Sequence, residues 1–242
     1  GFRAIWESSP AAVGKGVKGC HEGKRVAVAP NMGCGSCGMC VSGNTQLCAD
    51  FRAFGISIDG GFAERVLVPA EAVRQGNLSE IPDGLDFAAA AIIEPLSCVY
   101  NAFQRCAISP GDTVLVMGAG PIGLMHARMA RMGGAAAVFL TDINPERLAL
   151  CAKLEPTVAP IPATGLAEQI AEQTRGRGVD VVITATPSPE SQAAALRLGA
   201  LNGRIVFFGG LPEGKNMVSL DTNLVHYRQL TVTGTTRQSI AQ

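Results

Sequence analysis

Four cysteines crowd into one short segment: Cys34, Cys37, Cys40 and Cys48, spaced C-x2-C-x2-C-x7-C. Thiolates at this spacing can surround a single tetrahedral Zn²⁺, and a site with four protein ligands and no vacancy stabilises its loop rather than doing chemistry. Gly33, Gly35, Gly38 and Gly43 thread the same segment and let the chain wrap an ion without steric penalty. An iron–sulfur cluster also takes four thiolates, and unmetallated thiols are the bland alternative. Cys20, Cys98, Cys106 and Cys151 are scattered and read as small buried or surface thiols.

A second chemical pattern begins at Thr113. The apolar run Thr113–Met117 leads into Gly118-Ala119-Gly120-Pro121-Ile122-Gly123, then into a segment with Leu124, Ala127, Met129 and Ala130 at helical spacing. This is G-x-G-x-x-G between a strand and a helix, the context in which it binds a dinucleotide. The first glycine permits the turn, the second lets backbone approach a pyrophosphate, and the third lets helix pack on strand. The helix N-terminus faces the phosphates. About twenty residues on, the next strand ends in Asp142, where a carboxylate accepts hydrogen bonds from the ribose and repels a 2′-phosphate. This favours NAD over NADP. Asp142 also reads as a plain N-cap for a helix starting at Pro145. Arg147 is placed either to cover the adenine or to stand in solvent.

The elements that must carry these groups differ in the two halves of the chain. Before residue 97, strand-like runs at Lys24–Pro30 and Phe62–Pro69 are separated by Gly/Cys-rich loops, which reads as β-rich. A long helical stretch, about Asp86 to Arg105, should be kinked at Pro95, with Glu94 just before it. From Pro110 onward, strands are expected at Thr113–Met117, Ala137–Asp142, Val179–Ala185 and Gly203–Gly209. Helices are expected at Pro121–Met132, Pro145–Leu154, Gly165–Arg175 and Pro189–Leu198. That alternation implies βαβ units and a doubly wound parallel sheet buried on both faces, an α/β fold. After a strand at Leu230–Thr233 the last dozen residues should begin another helix.

Composition fits this reading. Of 242 residues, 47% are hydrophobic and 17% charged, which suits a packed globular protein. Formal net charge is zero, so there is no electrostatic footprint for nucleic acid or an anionic membrane. No apolar run reaches the roughly 18 residues of a membrane span, and no signal peptide is visible. Clustered thiols in an apolar chain point to a reducing, cytoplasmic setting.

Taken together, these motifs resemble the zinc-containing medium-chain dehydrogenase/reductase family, and most of all its polyol (sorbitol/iditol) and threonine dehydrogenase-like branch. The resemblance runs from about residue 11 to the end. It is carried by Val13-Gly14-Lys15-Gly16-Val17, the cysteine lobe, Asp59-Gly60-Gly61-Phe62-Ala63-Glu64, Glu94-Pro95-Leu96-Ser97, Gly118–Gly123, Asp142 with Arg147, and Asn223-Leu224-Val225-His226-Tyr227.

The resemblance implies a partial chaperonin-10-like β-barrel catalytic domain at 1–97, with a structural zinc lobe at 31–48. It further implies a Rossmann NAD-binding domain at 98–235 and the start of a return to the catalytic domain at 236–242. The implied reaction is hydride transfer between NAD and a secondary alcohol or polyol held on a catalytic zinc, with Glu94 close to that zinc. Thr186 and Gly209 are expected at the cofactor, in loops where Thr184-Ala185-Thr186-Pro187 departs from the family's usual acidic residue and Thr-Gly. A homo-oligomer, dimer or tetramer, is implied as well.

The match fails in one place. The family's catalytic zinc needs an upstream cysteine and a Gly-His-Glu step. Counting back from Gly23-Lys24-Arg25-Val26 places the latter near Arg3 to Ile5, where neither histidine nor glutamate stands. The chain is therefore expected to be incomplete at both ends, or out of register over its opening residues. His21 and Glu22 fall in a turn and read as surface residues, and His126 reads as structural. The competing functions are an NAD-binding remnant lacking the catalytic zinc ligands, and a zinc-independent quinone-reductase-type relative, against which the cysteines and Glu94 argue.

Overall fold

The computed structural model describes residues 7–239; the expected Gly-His-Glu position, Arg3 to Ile5, lies outside them. The chain forms two compact units, one running to Cys98 and taking in the residues from Arg237 onward, the other spanning Val99–Thr236.

The first unit has short elements. In chain order they are β1 (Glu7–Ser8), β2 (Val26–Val28), β3 (Asn31–Met32), α1 (Gly38–Val41), a 3₁₀ turn at Thr45–Leu47, β4 (Arg52–Ala53), α2 (Ala70–Gln75), β5 (Leu78–Glu80) and α3 (Phe87–Ala90). β1, β2 and β5 make an antiparallel sheet with β2 central, and β3 pairs with β4. Val28, Met32, Phe54 and Ala72 form a small core against which Val66 and Val68 pack.

No strand is assigned over the expected Phe62–Pro69. Residues 62–65 are all exposed, and Leu67 is turned out between the half-buried Val66 and Val68. Phe62 and Leu67 are 88% and 85% exposed. The segment starts in a bend that runs to Glu64, and it has no ladder partner among the described residues.

The helical stretch near Pro95 also differs from expectation. α4 (Ile93–Cys106) begins after a turn at Ala91–Ile92. Pro95 therefore sits in the first turn, where its missing N–H is one the helix would leave unpaired anyway, and no kink is required. The division between the units falls within α4.

The second unit is built on β6 (Thr113–Met117), α5 (Pro121–Met132), β7 (Ala137–Asp142), α6 (Pro145–Leu154), β8 (Ala159–Pro162), α7 (Leu166–Thr174), β9 (Val179–Thr184), α8 (Pro189–Leu198), β10 (Gly199–Phe207), α9 (Thr222–Tyr227) and β11 (Thr231–Gly234). All ladders are parallel, in the order β11-β10-β9-β6-β7-β8. The chain winds outward from β6 through β7 to β8, then crosses back to β9 beside β6. The crevice at the carboxyl ends of β6 and β9 is the topological switch point where such sheets bind ligands.

Each face of the sheet is covered. Val114, Val116, Val138, Leu140, Val181 and Ile183 pack with Ala127 and Ala130 of α5 and with Leu148 and Cys151 of α6. Leu115, Phe139, Val182 and Ile205 pack on the other face with Ile170 of α7 and with Ala195 and Leu196 of α8. Burial on both faces is why these strands are continuously apolar instead of alternating. α6 and α8 start on side-chain caps: Asn144 accepts from the amides of Glu146 and Arg147, Ser188 from that of Ser191, each followed by proline at the first helical position.

β8 was not expected, because Pro160 and Pro162 argue against a strand. It is an edge strand, the one place in a sheet where a missing N–H is tolerated. The expected terminal helix is absent among the described residues. Arg237 instead has a left-handed φ of 54°, stacks 4.0 Å over Phe51 and donates to the Gln46 carbonyl.

His126 of α5 is 1% exposed, its ring edge-on to Phe208 at 4.5 Å. Burial pushes its pKa from the ordinary 6.5 down to about 3. The unfolded chain thus binds this proton at a pH where the folded chain refuses it. Stability is intact above 6.5 and falls by ~1.4 kcal/mol per pH unit below it. Denaturant unfolding at stepped pH should show that slope for the wild type, and His126→Leu should remove about one proton's worth of it.

Candidate functional site

The cysteine lobe lies between β3 and β4. α1 starts at Gly38 and carries Cys40, the 3₁₀ turn leads to Cys48, and Gln75 of α2 donates to the Gly33 carbonyl at 2.9 Å, tying the lobe to the small core. The four sulfurs of Cys34, Cys37, Cys40 and Cys48 lie within 4.8 Å of one another. Cys34 and Cys40 sulfurs are 4.0 Å apart, and those of Cys37 and Cys48 are 3.7 Å apart. Zn–S bonds of about 2.3 Å in a tetrahedron place sulfurs roughly 3.8 Å apart. The cage fits one such ion and is too small to enclose several irons with bridging sulfides.

A Cβ on Gly33 would stand 2.5 Å from the Cys40 sulfur, so glycine there is a requirement of the cage. Amides of Cys34 and Cys37 point at sulfurs of Cys48 and Cys34, both at 3.3 Å. The backbone N–H groups of Ser36 and Cys37 draw Cys34 down to about 6, favouring the thiolate, whereas burial pushes Cys40 up to about 12. A cation in the cage removes that second penalty. None of the eight cysteines is in a disulfide.

The glycine-rich turn joins β6 to α5. Gly118 has φ 117°, and a Cβ there would meet the Ala185 carbonyl oxygen at 2.8 Å. At Gly123 a Cβ would come 1.7 Å from the Gly118 carbonyl oxygen. These two glycines are demanded by the fold. Gly120 differs: its φ is −82°, and a Cβ would find nothing within 4 Å. The space over Gly120 is what a ligand phosphate needs. Pro121 opens α5 at its first position, leaving Ile122 and Gly123 as first-turn N–H donors.

Asp142 ends β7 beside this turn. Its Oδ2 accepts from the Ala119 amide at 2.7 Å and its Oδ1 from the Asn144 amide at 2.8 Å. The helix cap is Asn144, so the plain N-cap reading of Asp142 is set aside. Arg147 is exposed on α6. Across the switch point, Gly209 donates to the Thr184 carbonyl at 2.8 Å, and a Cβ on it would lie 2.6 Å from the Thr186 carbonyl oxygen. Gly118, Thr186 and Gly209 therefore form one tight seam of backbone.

Glu94 belongs to the first unit. It lies in the first turn of α4, half-buried, with the Cys98 thiol 3.5 Å from its Oε1 and 3.0 Å from Oε1 of Gln238. Among the described residues the cysteine cage is the one group of three or more His, Cys, Asp or Glu side chains that could hold a metal. The link to Gln238, far along the chain, has no signal in sequence spacing.

Family comparison decides what this combination belongs to. The family described as zinc-binding dehydrogenase matches residues 121–242, and the alcohol dehydrogenase GroES-like domain matches residues 11–82. The chain belongs to the zinc-binding dehydrogenase family. It is 33% identical over 226 residues to sorbitol dehydrogenase of Bacillus subtilis, covering 93% of the chain and 62% of that relative. It is 37% identical over 203 residues to D-altritol 5-dehydrogenase of Agrobacterium fabrum, covering 82% and 57%.

Among solved structures, a putative zinc-binding dehydrogenase from Sinorhizobium meliloti bound to NADP superposes with a TM-score of 0.86 at 33% identity, covering 96% of this chain and 67% of that one. An alcohol dehydrogenase from Escherichia coli complexed with NADH gives 0.85 at 27% identity, covering 96% and 67%. The chain thus spans about three fifths of the length of these curated relatives. None of its helices is long and apolar enough to cross a membrane.

Two substitutions separate fold from ligand. Gly123→Ala should cost several kcal/mol, because backbone overlaps the new methyl group, and should lower the melting temperature sharply. Gly120→Ala should leave melting nearly unchanged yet weaken dinucleotide binding by tenfold or more, read by titration calorimetry. For the lobe, Cys40→Ser should lower bound zinc by one ion per chain in atomic absorption and destabilise the first unit by about 2–5 kcal/mol.

Proposed function

We propose that this chain is part of an NAD-dependent oxidoreductase that moves a hydride between a secondary alcohol group, on a polyol or similar small hydroxy compound, and the cofactor. The observation that carries the proposal is the open space over Gly120, set between first-turn amides of α5 and the carboxylate of Asp142. The named relatives that act on sorbitol, D-altritol and L-threonine supply the substrate class.

In this reading Gly118, Gly120 and Gly123 shape the pyrophosphate cradle, and Ile122 and Gly123 donate backbone N–H groups to it. Pro121 fixes the start of α5. Asp142 accepts from the ribose hydroxyls with the oxygen lone pairs its two backbone contacts leave over, and its charge disfavours a 2′-phosphate. Arg147 is placed to lie over the adenine, and Thr186 and Gly209 border the far end of the crevice. Bound NAD supplies the hydride acceptor. Cys34, Cys37, Cys40 and Cys48 hold a structural zinc.

A catalytic zinc would take a set of three protein ligands, with Glu94 beside it or among them. Glu94 is proposed to act near the reacting alcohol only in a protein that completes that set. Thiolate ligation and the absence of disulfides fit a cytoplasmic, reducing setting, and the fold family supports a homo-oligomer, dimer or tetramer. The second reading is a cofactor-binding remnant without turnover, and zinc content together with turnover separates the two.

Titration with NAD and NADP tests the cofactor assignment. The wild type should prefer NAD, and Asp142→Asn should weaken NAD about tenfold, as expected for losing a charge-assisted hydrogen bond, while narrowing the gap to NADP. Zinc content with polyol turnover tests the rest. Near two ions per chain with turnover supports the enzyme; one ion, NAD binding and no turnover supports the remnant.

A further inference from the structure

The cofactor reading leaves one buried thiol unexplained. Cys151 of α6 is 5% exposed and packs in the core beneath the glycine-rich turn. Its Sγ donates to the Ala119 carbonyl oxygen at 3.3 Å. Ala119 is the residue between the two glycines of the turn and is itself 3% exposed. Its amide is taken by Oδ2 of Asp142 at 2.7 Å. The two peptide groups that meet at Ala119 are thus each held by one side chain, Gly118–Ala119 by Asp142 and Ala119–Gly120 by Cys151.

In a trans peptide the C=O and N–H point in opposite directions; the structure contains no cis peptide among the described residues. A thiol that draws the Ala119 carbonyl into the core therefore turns the Gly120 N–H the other way. Gly120 itself has no atom within 4 Å of where a Cβ would stand, which leaves room for a ligand beside this peptide. We propose that Cys151 is a positioning residue for the cofactor, aiming the Gly120 amide at the dinucleotide pyrophosphate by fixing the Ala119–Gly120 peptide. The inference rests on the dinucleotide reading of the turn.

Chemistry supports a thiol in this role. Burial, and after it the Asp142 carboxylate, raise the pKa of Cys151, so it keeps its proton and remains a donor. A donor is needed because the group it faces is a carbonyl. Alanine in its place keeps the fold's apolar lining but leaves the carbonyl unheld.

The test compares Cys151→Ala and Cys151→Ser, which remove similar volume and differ in the donor, with Cys106→Ala, which truncates another buried cysteine of the same core. Binding of ADP-ribose, which has the pyrophosphate, and of adenosine, which lacks it, is measured on the full chain by calorimetry and competition, alongside melting temperature. Cys151→Ala should weaken ADP-ribose about fivefold, the worth of one neutral hydrogen bond, and leave adenosine unchanged. Cys151→Ser should recover most of the loss. Cys106→Ala should lower melting without changing either affinity.

The proposal is overturned if Cys151→Ala binds ADP-ribose like the wild type, if both ligands weaken together, or if Ser and Ala behave alike. If Cys151→Ala does not fold, the serine variant decides: ADP-ribose affinity near the wild type supports the role, and a fivefold loss with adenosine intact overturns it. A wild-type chain that binds neither ligand removes the dinucleotide reading itself, an outcome distinct from all of these.

Discussion

The approach of α5 to the end of β6 is the constraint on which the second unit depends. The Gly118 carbonyl sits where any side chain at Gly123 would have to be, with 1.7 Å between oxygen and a would-be Cβ. That contact lets the helix start immediately after the strand and point its first-turn amides over the crevice. It also brings Gly118 against Ala185 and Thr186, in the loop that follows β9, at the switch point of the sheet. Residues as distant in sequence as Ala119, Asp142 and Cys151 then meet around one turn. Binding geometry here follows from packing rather than from an added loop.

The cysteine lobe solves a different physical problem. Its elements are three or four residues long and bury little, so packing alone cannot hold them. Order comes from four sulfurs converging on one point and from backbone amides aimed at two of them. A metal in that cage makes folding of the lobe inseparable from ligation, whereas the doubly wound sheet carries its own core. The two motifs that stand out in the sequence thus differ in what stabilises them.

Legibility followed the same divide. Thr113–Met117, Ala137–Asp142, Pro121–Met132, Pro145–Leu154 and Pro189–Leu198 appear with the boundaries their periodicity and caps imply, because local signals and tertiary burial agree there. The cysteine cage was readable from spacing, as its ligands are close in sequence. Three features were not. Ala159–Pro162 hides behind prolines that only an edge position excuses. Phe62–Pro69 begins in a bend and has no ladder partner among the described residues. The helix expected at the chain's end gives way to Arg237 reaching Phe51 and Gln46, long-range contacts that no local pattern encodes. For the site, glycine identity was legible but its reasons were not: only coordinates separate Gly118 and Gly123, required by backbone, from Gly120, required by nothing in the protein.

The prolines of β8 carry a consequence beyond tolerance of an edge. Two of that strand's four positions have no N–H to offer, so the β8 side of the sheet cannot template another strand. The opposite side ends in β11, Thr231–Gly234, which contains no proline. The two margins of the sheet therefore differ in the backbone donors they offer, and the β8 margin is guarded against pairing with a further strand.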